Sequence, residues 1–418
     1  DVIDGGDGTD TISFTVGNES IRPTIKNVEK VNFTSNDDTL NIDTRSITGV
    51  TEYTNESSTG ASALNNLGSV PTLNINSASS AAHQTINFLD ASLSGSSDEL
   101  KINLNNFGGS SNIIVTDAGG TTNKLETITF NSTSLPSTIN DLQTNNAGGA
   151  GDVGTTTVKA TGDELLTIST ALDTTVTTVD STGSTGGLTA TGANTTGMTM
   201  KGGSAADTLL GDTASTIDGG AGADTITGGT GNDTLTGGAG ADTITTNTGT
   251  DTVTAGAGND TVNVDNALTA GDVIAGGDGT DTLAIDALAT AATAASVSGF
   301  EVLRYDTGAL GAQSMANFTA NAGFTTIDAN VAGLITTSNA TDTVTTLRST
   351  TTGGSHTLTR LIDSSSGDSI TVEADTSGND ATVFAALTLN DEESITLTSG
   401  SHTDEDLTVT TLTSTDMT

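Results

Sequence analysis

The stretch that decides the fold is residues 219–263, which read GGAGADTIT, GGTGNDTLT, GGAGADTIT, TNTGTDTVT and AGAGNDTVN. These are five consecutive nine-residue units, and no residue is inserted between them. An eroded unit, GGSAADTLL, precedes them from Gly202, and GGDGTDTLA follows from Gly276. Self-similarity at a short, fixed period is typical of solenoid proteins, in which each repeat packs against its neighbours.

Each position of the consensus unit G-G-x-G-x-D-x-U-x, in which U is apolar, has a physical purpose. The glycines allow the backbone to adopt positive φ, so that carbonyl oxygens can turn inward. The sixth position supplies a carboxylate. The eighth position places an apolar side chain between two outward threonines, which is the period-two pattern of a short strand. The apolar residues expected in this thin core are Ile226, Leu235, Ile244, Val253 and Val262.

Two units are expected to form one coil of the solenoid, so that each unit stacks on the next but one. This arrangement places Asp224, Asp242 and Asp260 along one edge, and Asp233 with Asp251 along the other. The gaps between stacked turns are then walled by carboxylates and main-chain carbonyls. Cages made only of oxygen atoms suit Ca²⁺, whereas Mg²⁺ demands a tighter octahedron and soft metals find no ligand. We therefore predict several bound calcium ions.

The predicted ligands are sixth-position aspartates, two third-position aspartates in the units that close an array, and glycines that shape the cages. The aspartates are Asp7, Asp10, Asp207, Asp224, Asp233, Asp242, Asp251, Asp260, Asp278 and Asp281. The glycines are Gly219, Gly222, Gly228, Gly231, Gly237, Gly240, Gly249 and Gly258. Two units depart from the consensus. Asn247 replaces a glycine but tolerates positive φ, whereas Ala205 stands where the third glycine belongs and weakens the site at Asp207.

The nonapeptide is that of RTX proteins, and the stretch closely resembles the parallel β-roll of this family. The resemblance implies secretion by the type I route, in which a chain crosses the channel unfolded and folds outside when calcium binds. Calcium-dependent folding is also expected on physical grounds, because stacked aspartates repel one another and glycine makes ordering of the chain costly in entropy. Calcium would cancel that repulsion, so that the free energy of binding becomes free energy of folding.

A longer repeat surrounds the nonapeptides. Residues 1–13, DVIDGGDGTDTIS, nearly duplicate residues 272–284, DVIAGGDGTDTLA. Each copy is followed by a similar strand, IKNVEKVNF with Glu29 and VSGFEVLRY with Glu301. We expect residues 1–13 to close another array, upstream, within a longer modular protein. Each glutamate could be a ligand or contact residue, but we expect it to cap or orient a strand at a solvated edge.

We predict an all-β protein, a parallel β-roll or β-solenoid with flanking β-rich segments. The predicted domains are 1–13, the end of an upstream RTX array; 14–200, a Thr/Ser-rich β domain; 201–284, the calcium β-roll; and 285–418, a partial second copy of the β domain. Short apolar alternations in the flanks fit solenoid coils or small β-sandwiches equally well. Only 33% of residues are hydrophobic and 3% aromatic, which argues against the large core of an α/β enzyme.

The charge and motif content exclude several classes of function. A net charge of −40, from 51 acidic and 11 basic residues, argues against binding to nucleic acids or anionic membranes. No apolar stretch is long enough to insert in a bilayer, and the absence of cysteine leaves metal as the natural substitute for disulfides. Neither H-E-x-x-H nor G-x-S-x-G occurs, so we predict no catalytic residues and no enzyme.

Three classes of function remain. The Thr/Ser/Gly/Asp bias, the absence of Cys and Trp and the N-V-E-x-V strand resemble RTX-type bacterial surface-layer proteins. That resemblance implies a secreted structural protein that self-assembles into a lattice on binding calcium, with copies of itself and a cell-surface polysaccharide as candidate partners. The alternatives are a segment of an RTX adhesin that binds a surface or host ligand, and a non-catalytic part of a secreted RTX enzyme.

Overall fold

Short strands that pair in parallel with a strand two or three places further along the chain build its described residues. Parallel neighbours require the chain to travel a full coil before it returns to the same sheet, and this is the geometry of a β-solenoid. The predicted all-β parallel solenoid is thus confirmed. The flanks, for which coils and sandwiches were equally compatible with the sequence, are also built from parallel coils where they are described.

The computed structural model describes residues 2–17, 20–36, 39–76, 83–117, 124–144, 154–265, 268–306, 311–321, 323–329, 334–340, 344–349, 354–360, 369–374, 382–390, 394–398, 407–409 and 412–414. The chain divides into two compact units, Asp1–Thr225 and Ile226–Thr418. In the described ranges the only helices are three short 3₁₀ turns, η1 Thr44–Ser46, η2 Asp90–Leu93 and η3 Met315–Asn317. Over the same ranges, no helix has the length and apolarity needed to cross a membrane.

In its described residues the first unit contains part of a long sheet, two shorter runs of strands and a two-stranded pair. Its strands are β1 Val2–Asp4, β2 Thr11–Val16, β3 Ser20–Ile21, β4 Thr24–Lys26, β5 Lys30–Ser35, β6 Thr39–Asp43, β7 Glu52–Glu56, β8 Ala61–Leu67, β9 Thr72–Asn76, β10 Gln84–Phe88, β11 Glu99–Asn105, β12 Asn112–Asp117, β13 Thr127–Ser132, β14 Ser137–Ile139, β15 Asp141–Gln143, β16 Thr157–Gly162, β17 Leu166–Ala171, β18 Thr178–Ser184, β19 Leu188–Thr191, β20 Thr199–Lys201, β21 Thr208–Leu210 and β22 Thr216–Ala221. The long sheet has the order β2-β5-β7-β9-β11-β13-β16-β18-β20-β22. The second wall of the coil is the sheet β15-β12-β10-β8-β6-β3 and then β14-β17-β19-β21, while β1 pairs with β4.

The coils of the first unit become shorter toward the nonapeptides. Along the long sheet Thr127 pairs with Thr157, Thr178 with Thr199, and Thr199 with Thr216, so that each of these pairs encloses a shorter segment than the one before. Long coils enclose large side chains, among them Phe130, which has no exposed surface. The shorter nonapeptide coils enclose aliphatic side chains such as Leu235.

The second unit continues the same architecture. After β23 Thr225–Thr227, which lies at the boundary, its strands are β24 Thr234–Ala239, β25 Thr243–Thr245, β26 Thr252–Ala257, β27 Thr261–Val264, β28 Val273–Asp278, β29 Thr282–Ile285, β30 Val297–Ser298, β31 Val302–Tyr305, β32 Gly311–Ser314, β33 Thr326–Ala329, β34 Leu334–Ala340, β35 Thr346–Ser349, β36 Gly354–Arg360, β37 Ser369–Ala374, β38 Thr382–Asn390, β39 Ser394–Thr398, β40 Leu407–Val409 and β41 Leu412–Ser414. The sheets run β24-β26-β28-β30, β25-β27-β29-β31-β33-β35-β37-β39, and β32-β34-β36-β38-β40 with β41 beside β38.

The nonapeptides set the length of the first coils of the second unit. Thr234 pairs with Thr252, its counterpart two units later, so that one coil contains two nonapeptides, as predicted. The eighth-position side chains point into the coil, and none is more than 1% exposed: Ile226, Leu235, Ile244, Val253 and Val262. The predicted thin core is confirmed. It positions the sixth-position aspartates, because a residue two places before an inward side chain lies at the turn that opens the strand.

Candidate metal centre

The sixth-position aspartates of the second unit form two hydrogen-bonded ladders. In the first ladder, the Asp233 N–H donates to Asp251 Oδ1 over 2.9 Å, and the Asp251 N–H donates to Asp272 Oδ1 over 2.9 Å. Asp242, Asp260 and Asp281 form the second ladder in the same way, with both bonds 2.8 Å long. The stacking expected for Asp233 on Asp251 and for Asp242 on Asp260 is therefore present.

The first unit contains the start of a similar arrangement. The Asp207 N–H donates to Asp224 Oδ1 over 2.8 Å, and both carboxylates are almost fully buried. In each of these bonds the carboxylate of one coil accepts the main-chain N–H of the aspartate one coil earlier. The spacing between stacked carboxylates is consequently that of adjacent parallel strands, which is about 4.8 Å.

Burial of these carboxylates is electrostatically costly. Removal from water raises the pKa of the aspartates in both units, since the charged form loses its hydration. The affected side chains are Asp207, Asp224, Asp251, Asp260 and Asp281. The pKa of Asp224 rises to about 6, chiefly through burial and further through the neighbouring charges of Asp207 and Asp218. No lysine, arginine or histidine lies between residues 202 and 284 to offset these charges.

Several carboxylate oxygens in the ladders lack a protein partner. Over the described ranges, the Oδ2 atoms of Asp10, Asp260 and Asp281 are buried and accept no hydrogen bond. A buried charged oxygen without a donor is rare in folded proteins, and a bound ion is one of its ordinary explanations. The residues present therefore fit a cation that prefers oxygen ligands.

Main-chain geometry completes the sites. Residues at the second and fourth positions of the units have positive φ, as predicted for the glycines there: Gly220, Gly222, Gly229, Gly231, Gly238, Gly240, Gly249, Gly256 and Gly258. Asn247, which replaces a glycine at the second position, also has a positive φ of 61°. These turns alter the direction of successive carbonyl groups, which suits an ion that takes six to eight oxygen ligands.

The first-position glycines, Gly219, Gly228 and Gly237, correct the expectation that each glycine provides positive φ. None of them has positive φ. At Gly228 a Cβ would lie 2.5 Å from Asp233 Oδ2, and at Gly237 it would lie 2.5 Å from Asp242 Oδ2. Glycine is favoured at Gly228 and Gly237 because the aspartate of the same unit lies close to where a Cβ would stand, although Thr246 and Ala255 occupy the first position of two other units.

Side-chain ligands alone would not fill a calcium coordination sphere. In the part of the chain that the structure describes, no three Asp, Glu or His side chains converge on a point that could hold a metal. A cation in the ladders would be held by the aspartates of adjacent coils and, for the remainder of its ligands, by main-chain carbonyl oxygens. The chemistry of the donor set remains entirely oxygen, which favours Ca²⁺.

Three predicted ligands differ from the rest. Asp207 uses both carboxylate oxygens within the protein, since Oδ1 accepts the Leu188 N–H over 2.5 Å and Oδ2 accepts the Gly203 N–H over 2.8 Å. This agrees with the weakening expected from Ala205, which lacks the positive φ of its counterparts. Asp7 and Asp278 are exposed and lie outside the ladders. The charge of Asp278 nevertheless contributes to the raised pKa of Asp281, and the role of both residues as ligands stays a prediction.

Asp272 belongs to the first ladder, but it is not among the ligands predicted from the sequence. Its Oδ1 accepts the Asp251 N–H, and its Oδ2 accepts the Thr269 N–H over 2.6 Å. An insertion hides it from a strict nine-residue template. Two features of the sequence could have revealed it. The spacing from Asp251 to Asp272 equals that from Asp260 to Asp281, and residues 272–274 have the same D-x-U pattern as the nonapeptides.

Comparison with protein families matches this description. The model of the RTX calcium-binding nonapeptide repeat, which contains four copies, matches residues 1–18, 201–235, 210–244, 227–262 and 268–284. A comparison with curated proteins found no match. The chain therefore carries calcium-binding RTX nonapeptide repeats, built into a parallel β-solenoid.

Proposed function

We propose that the chain is a structural, non-catalytic protein of the bacterial cell surface, which is secreted, folds on binding several calcium ions and then assembles with copies of itself into a surface lattice. The observation that carries the proposal is the pair of buried aspartate ladders in the second unit, with no basic residue between residues 202 and 284. Such ladders are stable only with a counter-ion, and RTX-repeat proteins are typically secreted by the type I route.

Calcium concentration provides the switch. Bound calcium neutralises the stacked carboxylates, and its binding free energy adds to the free energy of folding. Extracellular calcium modules bind with dissociation constants of about 10⁻⁴ to 10⁻³ M. A site in this range is empty in the cytosol and filled outside, so the chain would remain unfolded until it has been secreted.

Assembly is the finer part of the proposal. The described coils present polar walls of threonine and asparagine, and a charged example is the row Lys159, Asp180, Lys201 on adjacent strands. Alternating charges of this kind can pair with the same surface on another copy. Parallel coils throughout the described residues also differ from the antiparallel immunoglobulin-like sandwiches expected of a tandem-repeat adhesin. These observations favour the lattice over the adhesin.

The test follows folding and size together. Circular dichroism and light scattering are recorded on the full chain as calcium rises from excess chelator to about 10 mM, beyond the range of extracellular modules, with magnesium as the control ion. We expect calcium alone to induce β structure and then large, ordered particles visible by electron microscopy. A chain that folds with calcium but remains monomeric at every calcium concentration would refute lattice assembly, whereas calcium-dependent folding would stand.

A further inference from the structure

Three glutamates make the same hydrogen bond at three separate places in the solenoid. In each case the glutamate lies one coil after an aspartate and accepts that aspartate's main-chain N–H. The bonds run from Asp10 N to Glu29 Oε2, from Asp98 N to Glu126 Oε2 and from Asp281 N to Glu301 Oε2, and each is 2.8 Å long. Each glutamate thus takes the place that the next aspartate would occupy in a continuing ladder.

A local pattern holds the glutamates in place. Each lies between two apolar residues, in the order apolar–Glu–x–apolar, and the apolar side chains are no more than 2% exposed. The pairs are Val28 and Val31, Leu125 and Ile128, and Phe300 and Leu303. Because both neighbours are anchored in the core, the glutamate side chain is directed toward the turn of the preceding coil.

The carboxylate ladder does not continue beyond the glutamate. The residue at this position of the next coil is a threonine, and its main-chain N–H donates to the glutamate main-chain oxygen. These bonds run from Thr51 to Glu29 over 2.9 Å, from Thr156 to Glu126 over 3.1 Å and from Thr325 to Glu301 over 2.8 Å. Aspartate, glutamate and threonine in successive coils therefore form a closing series, in which ordinary strand pairing replaces carboxylate stacking.

The copy at Asp98 differs from the other two in one respect. Asp98 Oδ2 accepts the Gly95 N–H over 3.0 Å, whereas Oδ2 of Asp10 and Asp281 accepts no hydrogen bond within the described ranges. The Asp98 copy also lies outside the matched nonapeptides. The same closing series hence ends a candidate calcium ladder at Asp281, begins in a matched nonapeptide segment at Asp10 and, at Asp98, lies beside a turn that the Gly95 hydrogen bond holds.

We propose that Glu29 and Glu301 are positioning residues that close the calcium ladders, each by fixing the last aspartate so that its second oxygen faces the ion. The inference rests on the proposed calcium-dependent folding and adds the residues that set where each array ends. A bond to a charged acceptor is stronger than a neutral one. Loss of a residue that orients a metal ligand typically lowers metal affinity by about 10- to 100-fold.

The test compares Glu301→Ala and Glu301→Gln with the matched pair Glu126→Ala and Glu126→Gln, in the full chain. The readout is the calcium concentration at the midpoint of folding, measured by circular dichroism, together with thermal stability at saturating calcium. Glu301→Ala is expected to raise the midpoint about tenfold. Glu301→Gln retains an acceptor oxygen without its charge and is expected to raise it about threefold. Both Glu126 variants are expected to lower thermal stability, but to shift the midpoint less than the corresponding Glu301 variants do.

Two results would overturn the inference. One is a midpoint that Glu301→Ala leaves unaltered, and the other is an equal shift in the Glu126 variants. If Glu301→Ala does not fold at any calcium concentration, the midpoints of Glu301→Gln and Glu126→Gln are compared instead. An unaltered midpoint in Glu301→Gln, or an equal shift in Glu126→Gln, would then overturn the inference. If the unchanged chain itself shows no response to calcium, the proposed function has failed, which is distinct from a failure of the glutamates to position Asp281.

Discussion

Replacement of Asp260 by asparagine should change stability in opposite directions with and without calcium. Asparagine has the same shape and can still accept the Asp242 N–H, now 2.8 Å from Asp260 Oδ1, while the main-chain bond to Asp281 is untouched. The negative charge is lost, together with an anionic Oδ2 that has no donor in the described residues. With calcium, loss of a ligand should weaken affinity at least about tenfold, or about 1.4 kcal/mol.

Without calcium the same substitution should stabilise the fold. Burial raises the pKa of Asp260, because the charged form is disfavoured away from water, and a neutral amide does not carry that penalty. Chemical unfolding followed by circular dichroism in calcium measures the first sign, and the β signal that remains in chelator, which should exceed that of the unchanged chain, measures the second. The matched control is Asp265→Asn, which removes an exposed charge in the same stretch and should shift stability by no more than about 0.5 kcal/mol. Equal destabilisation in both conditions would show that Asp260 acts only as a hydrogen-bond acceptor, and would refute the reasoning.

Three further predictions concern backbone and protonation. Gly237→Ala should destabilise the calcium-bound fold by about 1–3 kcal/mol, because its Cβ would overlap the Ala255 carbonyl oxygen; Gly68→Ala, which meets open space, should be tolerated in the same thermal unfolding assay. Asn247→Val should cost about 1–2 kcal/mol at a φ of 61°, whereas Asn247→Gly should not, and an equal cost would contradict the backbone explanation. Asp224, with its pKa raised to about 6, binds more protons in the folded than in the unfolded state, so lowering the pH from about 7 to about 5 should increase the β structure that circular dichroism detects in chelator and should weaken calcium binding; a β signal that falls over this range would contradict the sign.

The fold of the nonapeptides could be predicted from the sequence because the nine-residue period determines how the units stack. A nine-residue unit with one inward side chain requires two units per coil, and the pairing of Thr234 with Thr252 follows. Ile244 and its counterparts are buried for the same reason. Asp272 was not predicted because residues inserted between Asp260 and Asp272 break the period, although this one insertion lies in both spans and keeps Asp251 to Asp272 equal in length to Asp260 to Asp281.

The fold of the flanks could not be predicted from the sequence, because the choice between solenoid and sandwich depends on which distant strands pair. The strand Thr127–Ser132 alternates buried and half-buried residues in a pattern that a sandwich strand would show equally well. What makes it a solenoid strand is parallel pairing with Thr157–Gly162, which the chain reaches only after a complete coil. The first-position glycines have a similar explanation, since the need for glycine at Gly228 arises from the Asp233 carboxylate rather than from the local backbone.

The role of the two glutamates could be predicted from the sequence only in part. Glu29 and Glu301 were expected to cap or orient a strand, and their bonds to Asp10 and Asp281 confirm a capping contact. That the cap lies at the end of an aspartate ladder could not be seen from the strand alone. It required the register that places Thr282 beside Val302 on the next coil.

The most direct test of calcium-driven folding is equilibrium binding of radioactive calcium to the chain, combined with far-ultraviolet circular dichroism on the same samples. We predict several calcium ions per chain, bound at about millimolar concentration, and a change from an unfolded to a β spectrum over the same range. Magnesium at equal concentration should produce neither effect. A full β spectrum in chelator, or binding of calcium without any change in structure, would contradict the claim that calcium folds the aspartate ladders.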